Sequence, residues 1–149
     1  MMKKNLLFLF LIFFGMCFSQ TAKDLHGKWM GIDQGKKGYI TFFSDGIISF
    51  SFDDMIMDGK KFEIPEGPYK GKFAQIKYFV DDSVKPFKIK VIFVCNDGTG
   101  VVENEFMSGL IEFTKDKEIL FYADNERKNP EKIDPLSPDT ILLKKESDL

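Results

Sequence analysis

The chain has 149 residues, 44% of them hydrophobic, with 21 basic and 23 acidic side chains, a formal net charge of −2 and 17 phenylalanines. A weakly acidic chain with interspersed charges lacks the electrostatic footprint of a nucleic-acid binder. Two cysteines and one histidine fall short of the ligand set of a structural zinc site, and no metal or other cofactor is expected.

The chain opens with Lys3 and Lys4 ahead of an apolar run from Leu6 to Phe14, extended at most to Phe18. A run of 13 residues has the form of a secretory signal and is shorter than the roughly 20 that a spanning helix needs. Residues 1–19 therefore read as a signal peptide without a membrane span. Cys17 and Ser19 are the small residues at −3 and −1, and the mature chain then starts at Gln20, which can cyclise. The alternative is a lipoprotein tethered through an acylated Cys17. Met16 is bulky for the position before a lipidated cysteine, so the cleaved, periplasmic or secreted form takes precedence.

Cleavage leaves Cys95 alone, with no partner for an internal disulfide. It also leaves 19 basic against 23 acidic side chains, a net charge of −4, and 12 of the phenylalanines. Residues 20–149 are expected to form one domain held together by an aromatic core.

A short helical turn is expected at Ala22–Leu25, followed by a strand over 28–33. Tyr39–Phe43 and Ile47–Phe52 are two strand-like runs joined by Ser44-Asp45-Gly46, a hairpin turn in which glycine accepts positive φ. Ile48, Phe50 and Phe52 share one face of the second run and Ser49 and Ser51 the other, the period of a half-buried antiparallel strand. The stretch 53–68, with Gly59, Pro65, Gly67 and Pro68, has no clear strand and reads as a long loop.

Phe73–Val80 is a more polar strand. In Phe87–Phe93 the inward residues are Phe87, Ile89, Val91 and Phe93, with Lys88 and Lys90 outward. Leu110–Phe113 and Ile119–Tyr122 form another hairpin around the turn Thr114-Lys115-Asp116-Lys117. Ile141–Leu143 follows a segment punctuated by Pro130, Pro135 and Pro138. The total is eight antiparallel strands, which build either a closed up-and-down barrel or a two-sheet sandwich.

Several residue sets raise chemistry and fall back to structure. His26 is the only histidine and stands at a strand entrance, where a packing or surface role is expected. The carboxylates Asp53-Asp54, Asp81-Asp82 and Asp97 lack the alternating spacing of a calcium loop, and turn chemistry accounts for them. Cys95 has no neighbouring histidine in sequence to hold a thiolate. No Gly-x-Ser-x-Gly elbow is present, and Gly98-Thr99-Gly100 follows no helix as a phosphate loop would. The chain is not expected to be an enzyme.

Leu25-His26-Gly27-Lys28-Trp29 resembles the Gly-x-Trp that opens the first strand of lipocalins and related calycin barrels. Together with Phe42-Phe43-Ser44-Asp45-Gly46, Gly109-Leu110-Ile111-Glu112-Phe113 and Ile141-Leu142-Leu143, it is similar to small exported bacterial lipocalin-like domains, most without known activity. The resemblance implies an eight-stranded up-and-down barrel with Gly27 and Trp29 closing one end. It also implies a late basic residue over the tryptophan, for which Arg127 is the candidate. The Thr-Asp-Tyr element of classical lipocalins is absent.

The expected function is binding of a small apolar molecule in the interior. The candidate lining is Phe42, Phe50, Phe52, Phe73, Tyr78, Phe93 and Phe113, with Met55, Ile56 and Met57 at the mouth. The alternative is a filled barrel acting as a protein-interaction or inhibitor module in the cell envelope, with no partner identifiable. A roomy interior favours the first, a packed one with an exposed Met55–Met57 patch the second.

Overall fold

The computed structural model describes residues 19–149. The signal-peptide assignment up to Phe18, and with it the Cys17 anchor, lies outside the described residues. Among them the fold is all-β. A 3₁₀ turn at Ala22–Leu25 precedes ten strands: β1 (Gly27–Asp33), β2 (Lys36–Phe42), β3 (Ile48–Phe52), β4 (Met55–Met57), β5 (Phe62–Glu63), β6 (Phe73–Asp81), β7 (Phe87–Asn96), β8 (Val101–Lys115), β9 (Glu118–Ala123) and β10 (Thr140–Ser147). They form one antiparallel sheet in the order β4-β3-β2-β1-β10-β9-β8-β7-β6-β5, curled into a nearly closed barrel.

The expected eight strands are corrected to ten. The two additional strands, β4 and β5, are three and two residues long and lie in the segment read as a loop. Met55 and Met57 alternate with Ile56 over too few residues for a period-2 signal to register. The hairpin between β8 and β9 is also tighter than expected, because the strands run on to Lys115 and Glu118 and leave only Asp116 and Lys117, the latter at φ +59°.

Closure occurs between β3 and β6. Ile47 bridges Lys77, the Tyr78 amide donates to the Gly46 carbonyl at 2.9 Å and the Ile76 amide to the Gly59 carbonyl at 2.8 Å. The Gly59 amide donates to Ser49 Oγ at 2.9 Å. Gly59 thus ties both sides of the seam together. A side chain cannot fit there, since a Cβ would lie 1.9 Å from the Ile48 carbonyl oxygen.

Alternation sets the core. Trp29, Ile40, Phe42, Ile48, Ile76, Phe87, Ile89, Val91, Ile111, Ile119 and Leu143 are all buried and belong to one cluster. Lys88 and Lys90 alternate outward on β7 as their positions require.

The 124–139 connection is fixed by Asp124, the one buried charged residue among those described. Its carboxylate accepts the backbone amides of Lys128 and Asn129 at 2.9 Å each. That bonding holds a segment in which Arg127 and Asn129 both have positive φ.

Candidate functional site

Two ends of the barrel differ in what points inward. At the end where β1 begins, large side chains fill the space. Leu25, carried by the 3₁₀ turn, is fully buried. The Trp29 indole Nε1 donates to its carbonyl at 2.7 Å, pinning the turn across the opening. Phe113 meets Trp29 edge-on at 6.2 Å and Phe87 at 5.9 Å. Phe42 meets Tyr78 edge-on at 5.2 Å.

The cation over Trp29 is Lys145, with Nζ 5.5 Å from the ring, in place of the Arg127 considered from the sequence. Arg127 lies exposed in the connection after β9, whereas Lys145 comes from β10, the strand paired with Trp29 itself. Gly27, at φ +135°, leaves room for this side chain: a Cβ there would lie 2.7 Å from Lys145 Cε and 2.6 Å from the Ser147 carbonyl oxygen.

Tyr78 belongs to this filled end. Its hydroxyl donates to the Phe43 carbonyl at 2.8 Å. Burial, with a smaller contribution from the Asp45 carboxylate, pushes its pKa up to about 12.

Toward the other end the inward positions become small. Gly31 pairs with Gly38, Gly38 with Phe52, and Phe52 with Met55, in one row across four strands. The Phe52 ring lies over Gly38, where a Cβ would be 2.0 Å from a ring carbon. Across the barrel Gly109 pairs with Ala123.

The result is a cavity of about 680 Å³, inside the roughly 300–1,000 Å³ range of small-molecule sites. The buried residues Ile40, Phe50, Met57 and Phe121 line it, with Phe52, Met55, Met107 and Ile141 nearer solvent and Ile32, Asp33, Pro138 and Asp139 at the mouth.

Phe106 reaches the cavity through a β-bulge. Val91 pairs with Met107 and Ile92 with Glu105, so Phe106 is the extra residue. Such a bulge re-aims a side chain. Its ring packs 4.7 Å from Phe93 and 6.5 Å from Phe50.

The structure distributes the seven sequence candidates unevenly. Phe50 and Phe52 line the cavity. Phe42, Tyr78 and Phe113 pack in the filled end. Phe93 is half-buried and stacks on Phe62 at 5.6 Å, beside the cavity and behind Phe106.

Phe73 is a correction. It is 54% exposed on the outer face, under Lys61 at 4.5 Å. Ala74, Ile76 and Tyr78 hold the inward phase of β6, so the odd-numbered residues of this strand point out.

Met55 and Met57 line the cavity, whereas Ile56 between them faces solvent at 74% exposure. Ile40, Phe106, Met107, Phe121 and Ile141 were not candidates. Ile40 and Phe121 share a strand phase with buried neighbours and were legible; the bulge that brings in Phe106 was not.

His26 is half-buried at the Trp29 end, away from the cavity. Among the described residues no group of three or more His, Cys, Asp or Glu is placed to hold a metal ion, and no helix is long and apolar enough to cross a membrane. Cys95 is buried and unpaired on β7.

No family model matches the chain, and neither does any curated protein or solved structure with which it was compared.

Proposed function

We propose that this chain is an exported, lipocalin-like barrel that binds a small apolar molecule in its interior and performs no catalytic step. One observation carries the reading: the barrel is packed and sealed by Trp29 at one end and hollow, apolar and open at the other. A ligand burying roughly 300–400 Å² of apolar surface gains about 8–10 kcal/mol at ~25 cal/mol per Å². Association costs of at least about 4 kcal/mol subtract from this gain, leaving at most about 4–6 kcal/mol and affinities no tighter than roughly tens of micromolar.

The second reading, a protein-interaction or inhibitor module in the envelope, draws on Ile56, exposed on the edge strand β4. Met55 beside it is 55% exposed but lines the cavity, and a single outward isoleucine is ordinary on a protein surface. The hollow end supports the first reading over the second.

Native mass spectrometry of the protein purified from its own host without detergent tests the proposal. The expected spectrum has the mature chain starting at Gln20 and an extra mass of a few hundred daltons that is lost on denaturation. A bare chain in repeated preparations refutes ligand carriage. A mass that survives denaturation and maps to Cys17 refutes the soluble form.

A further inference from the structure

Resting on the ligand-binding reading above, we infer that the cavity selects an uncharged apolar ligand and rejects anionic amphiphiles of the same carbon skeleton.

The inner wall offers an anion no partner. Among the described residues Lys144 is the only cation in the lining. It stands on β10 next to the buried, inward Leu143, so its own position is on the outer face, and it is exposed. Lys36, at the rim of the same end, is engaged by the Asp53 carboxylate. The Thr140 hydroxyl donates to the Asp134 carbonyl at 2.8 Å. The Tyr78 hydroxyl is at the filled end and donates to Phe43. The backbone amides of the wall are largely taken up in the strand ladders. A carboxylate drawn inside would lose its hydration with nothing to replace it, a cost of several kcal/mol in any apolar site.

Turning the ligand round does not help an anion. A head group held at the mouth sits by Asp33, exposed at the end of β1, and Asp139, immediately before β10. Both carboxylates repel a negative head at short range. A hydroxyl or carbonyl head meets neither penalty, since either can stay hydrated at the rim and a hydroxyl can also donate to these acids. Both orientations therefore disfavour an acid and tolerate a neutral molecule.

The test uses the mature protein, stripped of any bound molecule by solvent extraction and loaded with the neutral fluorophore N-phenylnaphthylamine. Decanol and decanoate then compete for it at neutral pH. Decanol is expected to displace the probe at a concentration about tenfold or more below that needed with decanoate. Equal potency of the two overturns the charge selection and leaves the ligand-binding reading standing. Absence of probe binding together with a bare chain in native mass spectrometry overturns both. A double variant, Asp33→Asn with Asp139→Asn, separates the two causes: the gap should narrow through loss of rim repulsion without closing, because the interior still lacks a donor. A gap unchanged in that variant refutes the role assigned to the rim.

Discussion

Replacing Gly59 by alanine isolates the seam that closes the barrel. The added Cβ would sit 1.9 Å from the Ile48 carbonyl oxygen, 2.8 Å from the Ile48 carbonyl carbon and 2.8 Å from Ile47 Cγ2. Two of these three atoms are backbone, so relief requires moving β3 or the 58–61 turn by more than 1 Å, about the difference between this contact and a tolerable one. Overpacking of this kind costs about 1–3 kcal/mol. The same movement pulls Gly59 from its bonds to Ser49 Oγ and the amide of fully buried Ile76, and an unsatisfied buried amide adds about 1–3 kcal/mol.

The expected destabilisation of Gly59→Ala is about 3–5 kcal/mol, measured as a shift in urea midpoint at unchanged slope. Gly67→Ala is the control. Its site has nothing within 4 Å but has φ +86°, so only the backbone conformation is penalised, by about 1 kcal/mol. If Gly59→Ala costs no more than Gly67→Ala, the seam does not hold the barrel shut and this reasoning is wrong.

Four further outcomes are expected. Trp29→Phe removes the buried indole bond to the Leu25 carbonyl and ring volume from the sealed end; it should cost about 2–4 kcal/mol, read by thermal unfolding. Tyr78, with its pKa raised from 10.0 to about 12, contributes stability that is complete below pH 10 and lost as pH rises to about 12. The loss should be on the order of 2 kcal/mol, and tyrosinate absorbance should show Tyr78 ionising late, with Tyr122 also raised by burial and the Asp124 carboxylate. Asp124→Ala frees the amides of Lys128 and Asn129 and should cost about 1–2 kcal/mol, with faster hydrogen exchange confined to 124–129. Ala123→Phe places a ring in the cavity; it should abolish fluorophore binding while the urea midpoint stays within about 1 kcal/mol of wild type.

Strand existence was legible wherever alternation ran for five or more residues. All eight expected strands are present, and the helical turn at Ala22–Leu25 has the expected bounds. What escaped was the first half of β8, where Val101 to Glu105 is mostly exposed and carries no apolar face to reveal its period. The site was legible in chemistry more than in position. Phe73 and Tyr78 have opposite parity on one strand, so they cannot both face inward, and the pleat alone excludes one of them. Gly31 carries no such signal, because a glycine within a strand reads as a bulge or a close approach and not as the wall of a hollow.

The size of the inward side chains accounts for the molecule's asymmetry. The radius of a barrel follows from strand number and tilt, and inward side chains only decide how much of the enclosed space is occupied. Around Trp29, with Phe42, Tyr78, Phe87 and Phe113, they fill it; around Gly31 and Ala123, on the cavity wall, they do not. A sealed void of about 680 Å³ would cost about 16 kcal/mol at ~24 cal/mol per Å³, which exceeds the roughly 5–15 kcal/mol total stability of an ordinary domain. The space is therefore tolerable only because its mouth admits solvent or a ligand. Water gains few hydrogen bonds from walls of phenylalanine, methionine and isoleucine, so an apolar molecule of fitting size displaces it favourably. A Cβ at Gly31 would lie 2.7 Å from Ile141 Cδ1 and Leu143 Cδ2, and one at Gly38 2.0 Å from the Phe52 ring, so enlarging either residue overpacks its neighbours, whereas at Ala123 added volume enters the hollow itself.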